Sequence, residues 1–417
     1  MITGRDIIFI SSIEWNFLWQ IHQEIASRLA KAGNRVLYIE NTGVRSPGLR
    51  DAGRIALRLQ HWIRALRSHG VREVAPNVYV TSPLVLPSFG PSWRRLINRR
   101  FLLPIIKRTA RKLGMNDPLL WTYLPTDTAA TLIHMLRTKN SVVVYYCGAD
   151  FSQLTPSVEQ FRQSEAAILE QSDLVFTFCS QLVEHCRKWN DNVHIVPAGV
   201  DMDAFPAKEI SHNDGEHSSA VLTSTKLAVE QTFQSLPRPV IGYVGGLHKL
   251  VDYDLLVEMA RERPQWSWVF VGPVQAEVGD LAKLPNVHLL GQKSHRDLVH
   301  YIRHFDVCLI PYLNNSSTAT ALPLKLNEYL AVGKPIVSTD LPTVLDFNLK
   351  HKILITSASK PEYFLQAIEQ ALCLHDDEEE TIVRRREVAA LGDWQACLNS
   401  MSEWIEAKMG RSNSLQP

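Results

Sequence analysis

The sequence predicts an α/β protein made of two doubly wound parallel-sheet domains, and three observations carry the prediction. Short apolar runs alternate with helical patterns, the alternation occurs twice, and a polar stretch separates the two rounds. A chain of 417 residues is also too long for one ordinary core and suits two domains of roughly 200 residues each.

In the first round, apolar runs at 7–11, 36–40, 119–123, 142–146, 174–178 and 194–196 read as strands, with helical patterns such as 18–32 and 126–137 between them. Near-continuous apolar runs, without polar alternation, are those of parallel strands buried on both faces. Gly33-Asn34 punctuates the first helix as a C-cap. The second round has runs at 240–244, 268–271, 287–290, 307–311, 336–339 and 353–355. Residues 206–236 are rich in Ser, Asn, His and Thr and read as a polar linker with an insertion, ending near Pro237-Arg238-Pro239. The expected domains are therefore 1–205, that linker, 237–391, and a C-terminal helix and tail over 392–417 that packs back on the first domain.

Composition sets further bounds. A hydrophobic content of 45% with 21% charged residues is globular, not disordered. The six cysteines, at 147, 179, 186, 308, 373 and 397, show no close pair with zinc or redox spacing and read as reduced thiols. No run of about 18 apolar residues is present, and the strand-like 6–10 lacks the basic flank of a signal peptide, so a cytoplasmic location is expected.

A net charge of +1 hides an asymmetry. Between Arg45 and Lys112 stand 15 basic residues and only two acids, Asp51 and Glu73. Around Trp62 the apolar positions 55, 59, 62 and 66 fall on one helical stripe, with Arg54, Arg58, Arg64 and Arg67 on the rest of the circumference. A second stretch carries Trp93, Arg94, Arg95, Arg99, Arg100 and Phe101, with Pro104 interrupting it. Near an anionic leaflet each basic residue contributes on the order of 1 kcal/mol, so the pattern predicts peripheral contact with the inner membrane face. Ordinary amphipathic helices with solvated arginines are the alternative. Nucleic acid is not an expected partner, because no binding motif accompanies the arginines and the second half is acidic.

The richest segment is Leu322-Pro323-Leu324-Lys325-Leu326-Asn327-Glu328-Tyr329, followed by Gly333-Lys334-Pro335-Ile336-Val337. Pro323 presets the dihedral of a first helical turn, whose N–H groups and dipole attract anions, and Lys325 adds a full charge where a diphosphate would sit. One turn on, Glu328 is placed to accept from ribose hydroxyls. Gly333 ends the helix. Any helix-to-strand unit of a parallel sheet is the bland reading of the same spacing.

This segment resembles the donor-site signature of retaining glycosyltransferases of the GT-B fold, in particular the bacterial group that builds teichuronic acids, capsules and exopolysaccharides. Further likenesses follow in the family's order: Ser11-Ser12-Ile13-Glu14-Trp15 with Trp19, Gln20, His22 and Gln23; Tyr145-Tyr146-Cys147-Gly148-Ala149-Asp150-Phe151-Ser152; Pro197-Ala198-Gly199-Val200-Asp201 with Phe205; and Ile241-Gly242-Tyr243-Val244-Gly245-Gly246. The chain departs from the family at two places. Thr320 stands where a second donor-site glutamate is usual, and Tyr146 and Ala149 stand where acidic residues are frequent, leaving Asp150 as the only carboxylate of its segment.

The resemblance implies two Rossmann-like domains facing a cleft and a sugar transfer from a nucleotide-diphosphate-sugar donor to a lipid-linked or saccharide acceptor. Ligands of such sheets gather beyond the carboxyl ends of strands. The donor is expected to meet Gly245, Gly246, His248, Lys249, Gly272, Gly291, Thr318, Thr320, Leu324, Lys325 and Glu328, with His248 or Lys249 in place of the family's basic residue at the diphosphate. Asp150 is the candidate general base or oxocarbenium stabiliser, a turn cap through Ser152 being the alternative. Glu14, Trp15 and His22 stand on the acceptor side or serve as packing. No cofactor is expected beyond the co-substrate, and no metal, since no Asp-x-Asp of the metal-dependent kind sits at a strand end, Asp201-Met202-Asp203 falling in the segment that closes the first domain. The missing glutamate keeps a catalytically silent donor-binding partner in view, and the architecture also admits a nucleotide-sugar epimerase.

Overall fold

The computed structural model describes residues 1–11, 13–40, 71–83, 85–87, 91–150, 157–207, 216–375 and 379–414. Arg54, Arg58 and Trp62 of the first basic stretch lie outside them. By contacts the chain divides into two compact units, 1–196 with 397–417, and 197–396.

In the first unit, strands β1 (Asp6–Ile10), β2 (Arg35–Ile39), β3 (Val71–Ala75), β4 (Val78–Thr81), β5 (Leu119–Thr122), β6 (Val143–Tyr146), β7 (Leu174–Thr177) and β8 (Val193–Ile195) form one sheet in the order β3-β4-β2-β1-β5-β6-β7-β8. Every pairing is parallel except β3 with β4. The four central residues 7–10 are fully buried, as a strand covered on both faces requires. Thr126 caps the helix Asp127–Leu136 by accepting from the Ala129 N–H at 3.0 Å. The long helix Trp394–Ser414 ends in this unit, where the Ser402 hydroxyl accepts from the Ile2 N–H and Trp404 stacks on His194 at 4.4 Å.

The second unit carries β9 (Val240–Val244), β10 (Ser267–Val271), β11 (Val287–Leu289), β12 (Val307–Ile310), β13 (Ile336–Thr339) and β14 (Ile355–Ser357), all parallel, in the order β11-β10-β9-β12-β13-β14. This is a doubly wound order whose direction reverses between β9 and β12. In the first sheet the corresponding reversal lies between β1 and β5.

Two expectations need correction, and one element went unread. The segment expected as a linker is helical from Glu216 to Gln234 and belongs to the second unit. Its polar composition conceals two anchors one turn apart, Val229 and Phe233, both buried, with Phe233 stacked on His304 at 4.7 Å; tertiary docking outweighs a weak local signal. The hairpin β3–β4 was not legible, because it turns on Asn77 at φ 63° and no residue of its first strand is buried. Finally, β14 starts at Ile355, two residues later than the apolar run suggests, since Ile353 and Leu354 use their N–H groups on the Asn348 side chain.

The second basic stretch forms the helix Ser92–Ile97, a π turn at Asn98–Leu102 and the helix Leu103–Lys112. Pro104 has no N–H to return to the preceding turn, and the backbone widens just before it.

Candidate active site

Both crevices where strand order reverses carry the residues singled out in the sequence. In the second unit, β9 leads into Gly245-Gly246 and β12 into Pro311-Tyr312. The helix Lys325–Val332 buries Leu326, Tyr329 and Leu330, and the Tyr329 hydroxyl accepts from the Val244 N–H at 2.9 Å. That bond ties the helix to the end of β9. Lys325, four residues earlier on the same face, is thereby set over Gly245.

Gly245 has φ 124° and Gly272, after β10, has φ 156°, and a Cβ on Gly272 would lie 2.0 Å from the Gly245 carbonyl oxygen. The two turns touch backbone to backbone, which only glycine permits. Lys325 is 9% exposed; its Nζ donates to the Tyr312 hydroxyl at 2.5 Å and the Tyr243 hydroxyl at 3.0 Å. His248 packs on Tyr312 with ring centres 5.3 Å apart, and its Nδ1 accepts from the Leu250 N–H. Burial first, and Lys325 second, lower the His248 pKa to about 4. His248 or Lys249 was expected to stand in for the family's basic residue. At neutral pH His248 is an uncharged ring with its proton on Nε2, a hydrogen-bond donor without charge.

Glu328 is held by the loop that follows β11: its Oε1 lies 2.8 Å from His295 Nε2, and His295 packs edge-on against Phe205. Gly291, at φ 69°, opens that loop and is exposed. Lys249 is exposed, and Thr320 and Leu324 are half-buried. The first-turn N–H groups of Leu326 and Asn327 are taken by the carbonyls of Pro323 and Leu324, so the charge of Lys325 rather than open amides dominates here. Thr318 does not present its hydroxyl to a ligand as expected. It is fully buried and closes its own turn, accepting from Asn315 N–H and donating to Leu313 O at 2.5 Å.

In the first unit, His22 rises from the helix Ile21–Lys31 into the crevice between β1 and β5. It stacks on Tyr123 at 3.8 Å, and its Nδ1 lies 2.8 Å from Ser11 Oγ, which also meets the Tyr38 hydroxyl at 2.8 Å. Burial lowers its pKa to about 3. The ring is thus a neutral packing partner. The hydroxyls of Tyr123 and Tyr146, both buried, have no hydrogen-bond partner among the described residues. Trp15 donates its N–H to Glu40 Oε2 at 2.7 Å and meets Tyr38 edge-on, while Glu14 is exposed.

Asp150 lies four residues beyond β6, half-buried. Nearby, the buried Glu165 accepts from the Tyr145 hydroxyl at 3.0 Å and pairs with His185 Nε2 at 2.8 Å. The hydrogen bond to Glu165 raises the His185 pKa, and Asp150 adds to it through its charge. Sequence reading missed His295, Glu165 and His185, and it gave Tyr243 and Tyr312 no role of their own. Only Tyr243, inside the quoted β9 segment, and Tyr312, inside the loop after β12, stood next to a recognised motif.

Residues 238–373 match the family model described as Glycosyl transferases group 1. Over 280 residues the chain is 26% identical to TuaH of Bacillus subtilis (strain 168), assigned as a teichuronic acid biosynthesis glycosyltransferase; the match covers 63% of this chain and 66% of that protein, just under two thirds of its length. Among solved structures, sucrose-phosphate synthase from Thermosynechococcus elongatus superposes with a TM-score of 0.69 at 17% identity, over 98% of this chain and 100% of that one. Anabaena HepE in complex with UDP-glucose superposes with a TM-score of 0.62 at 13% identity, over 96% and 99%. Residues 238–373 thus carry the likeness to the group 1 glycosyltransferases, and the chain as a whole has the GT-B fold of the structures it superposes on.

Proposed function

We propose that this protein is a glycosyltransferase that moves a sugar from a nucleoside-diphosphate donor to a lipid-linked or polysaccharide acceptor in cell-surface polysaccharide synthesis. The observation that carries the reading is the buried Lys325 ammonium held over the Gly245-Gly246 turn at the strand-order reversal of the group 1 domain. Breaking the bond between the anomeric carbon and the diphosphate leaves negative charge on the leaving oxygens, and a fixed ammonium in a site shielded from water stabilises it. In this reading Glu328, oriented by His295, accepts from the ribose, and His248 gives a neutral N–H to the phosphates. Asp150 takes the acceptor hydroxyl's proton as its oxygen bonds to the anomeric carbon. Because Lys325 supplies the charge, we propose metal-independent transfer, with turnover unchanged by EDTA.

The names of the relatives support the donor and pathway class: HepE is seen with UDP-glucose and TuaH is assigned to teichuronic acid synthesis. A peripheral membrane location is supported by Trp93, Leu96 and Phe101, which are 52%, 65% and 66% exposed beside Arg94, Arg95, Arg99 and Arg100. Among the described residues no helix is long and apolar enough to cross a membrane. Co-sedimentation with anionic liposomes that weakens with salt is expected.

The decisive experiment incubates the purified protein with UDP-, GDP- and dTDP-sugars. Turnover of one donor, lost in Asp150→Ala while nucleotide binding persists, is expected. Tight binding without turnover of any donor in the presence of membrane extract would leave a silent binding partner, and donor conversion without acceptor would mean an epimerase.

A further inference from the structure

Burying an ammonium is costly unless its surroundings replace water. Around Lys325 two tyrosines do so. Tyr243 and Tyr312 accept hydrogen bonds from Nζ at 3.0 and 2.5 Å, and Nζ lies 4.2 and 4.7 Å from the centres of the same two rings. Each tyrosine therefore offers both a phenol oxygen and a π face to one charge. They project from the ends of adjacent strands β9 and β12, and the Tyr312 backbone is fixed by the Thr339 hydroxyl at 2.7 Å. The Tyr243 hydroxyl, accepting from the lysine, directs its own proton to the Gly246 carbonyl at 2.9 Å. Two of the three ammonium protons are thus engaged. The direction in which Gly245 lacks a side chain passes 2.9 Å from Nζ.

We propose that Tyr243 and Tyr312 are positioning residues for the donor diphosphate, holding the Lys325 ammonium aimed at the Gly245-Gly246 turn before the ligand arrives. The proposal rests on the reading of Lys325 as the diphosphate ligand. It adds that the clamp is preformed: the flexible lysine stem is already ordered, and the bond from Tyr243 to Gly246 makes the lysine and the glycine turn one unit. Neither tyrosine needs to touch the donor to affect its binding.

Calorimetric titration with UDP, GDP and dTDP selects the tightest diphosphate, and its binding is compared with that of the parent nucleoside. The proteins are wild type, Tyr243→Phe, Tyr312→Phe, Lys325→Ala and the two tyrosine–lysine double variants, each checked for an unchanged melting temperature. Each tyrosine substitution is expected to weaken the diphosphate about three- to tenfold and leave the nucleoside unaffected. In the Lys325→Ala background Tyr312→Phe should have no further effect, and Tyr243→Phe only the small remainder from its bond to Gly246. Equal effects with and without the lysine, equal losses for diphosphate and nucleoside, or binding that is unchanged or tighter in the single tyrosine variants each overturn the proposal while leaving the donor reading intact. Undiminished diphosphate binding in Lys325→Ala overturns the donor reading itself, and the proposal with it.

Discussion

The two crevices occupy equivalent places in two doubly wound sheets, yet one surrounds a cation and the other a neutral ring. Between β9 and β12, Tyr243 and Tyr312 close on the Lys325 ammonium. Between β1 and β5, Tyr123 stacks on His22, whose pKa burial lowers to about 3. The difference lies in what the buried tyrosines offer. In the second unit their hydroxyls accept from a charge and their faces cover it. In the first, Tyr123 meets the histidine with its ring face and the Ser11 hydroxyl meets Nδ1, and burial outweighs this single hydrogen bond, so the ring stays neutral. Topology therefore chooses where a ligand can approach, and the side chains at the strand ends choose its charge.

The comparison breaks most severely where backbone meets backbone. Gly272→Ala puts a Cβ against the Gly245 carbonyl at an unfavourable φ, so a loss of about 3 kcal/mol is expected in urea denaturation, together with loss of nucleotide binding. Removing the charge is the next largest effect. Lys325→Ala is expected to weaken UDP by about 2 kcal/mol, roughly thirtyfold, and to leave uridine binding unchanged by calorimetry.

Acid sharpens the contrast from the other side. An unfolded chain protonates His22 below about pH 6.5, whereas the native chain resists until about 3, so the stability this site contributes above pH 6.5 is lost as pH falls through that window. His22→Phe keeps a stacking ring, and denaturation at pH 7 and pH 4.5 should show it losing about 1–2 kcal/mol less than wild type. The smallest effect concerns the ribose. Glu328→Gln is expected to cost about 1 kcal/mol in UDP affinity and to narrow the preference for UDP over its 2′-deoxy analogue in competition binding.

Much of this was legible locally. Period and punctuation gave the two rounds of strands, and Gly333 does end its helix, at φ 84°. Lys325 and Glu328 stood out because a helix start with a basic first position is a local pattern. The partners that give those residues their character were not local. Tyr243 precedes Lys325 by 82 residues and reads as a strand core residue, and His295 precedes Glu328 by 33. The helix Glu216–Gln234 escaped notice because two apolar anchors in a polar segment gain meaning only when a core is available to receive them.

By itself the sequence determined the alternating architecture, the reduced cysteines, the basic asymmetry of the first half and the position of a cation at the start of one helix, since each depends on residue type and spacing. The tertiary structure alone decided that this cation is caged by two tyrosines, that His248 and His22 are neutral, and that Thr318 is spent on its own turn. Burial and long-range hydrogen bonding set those properties, and neither exists until distant strands are brought side by side.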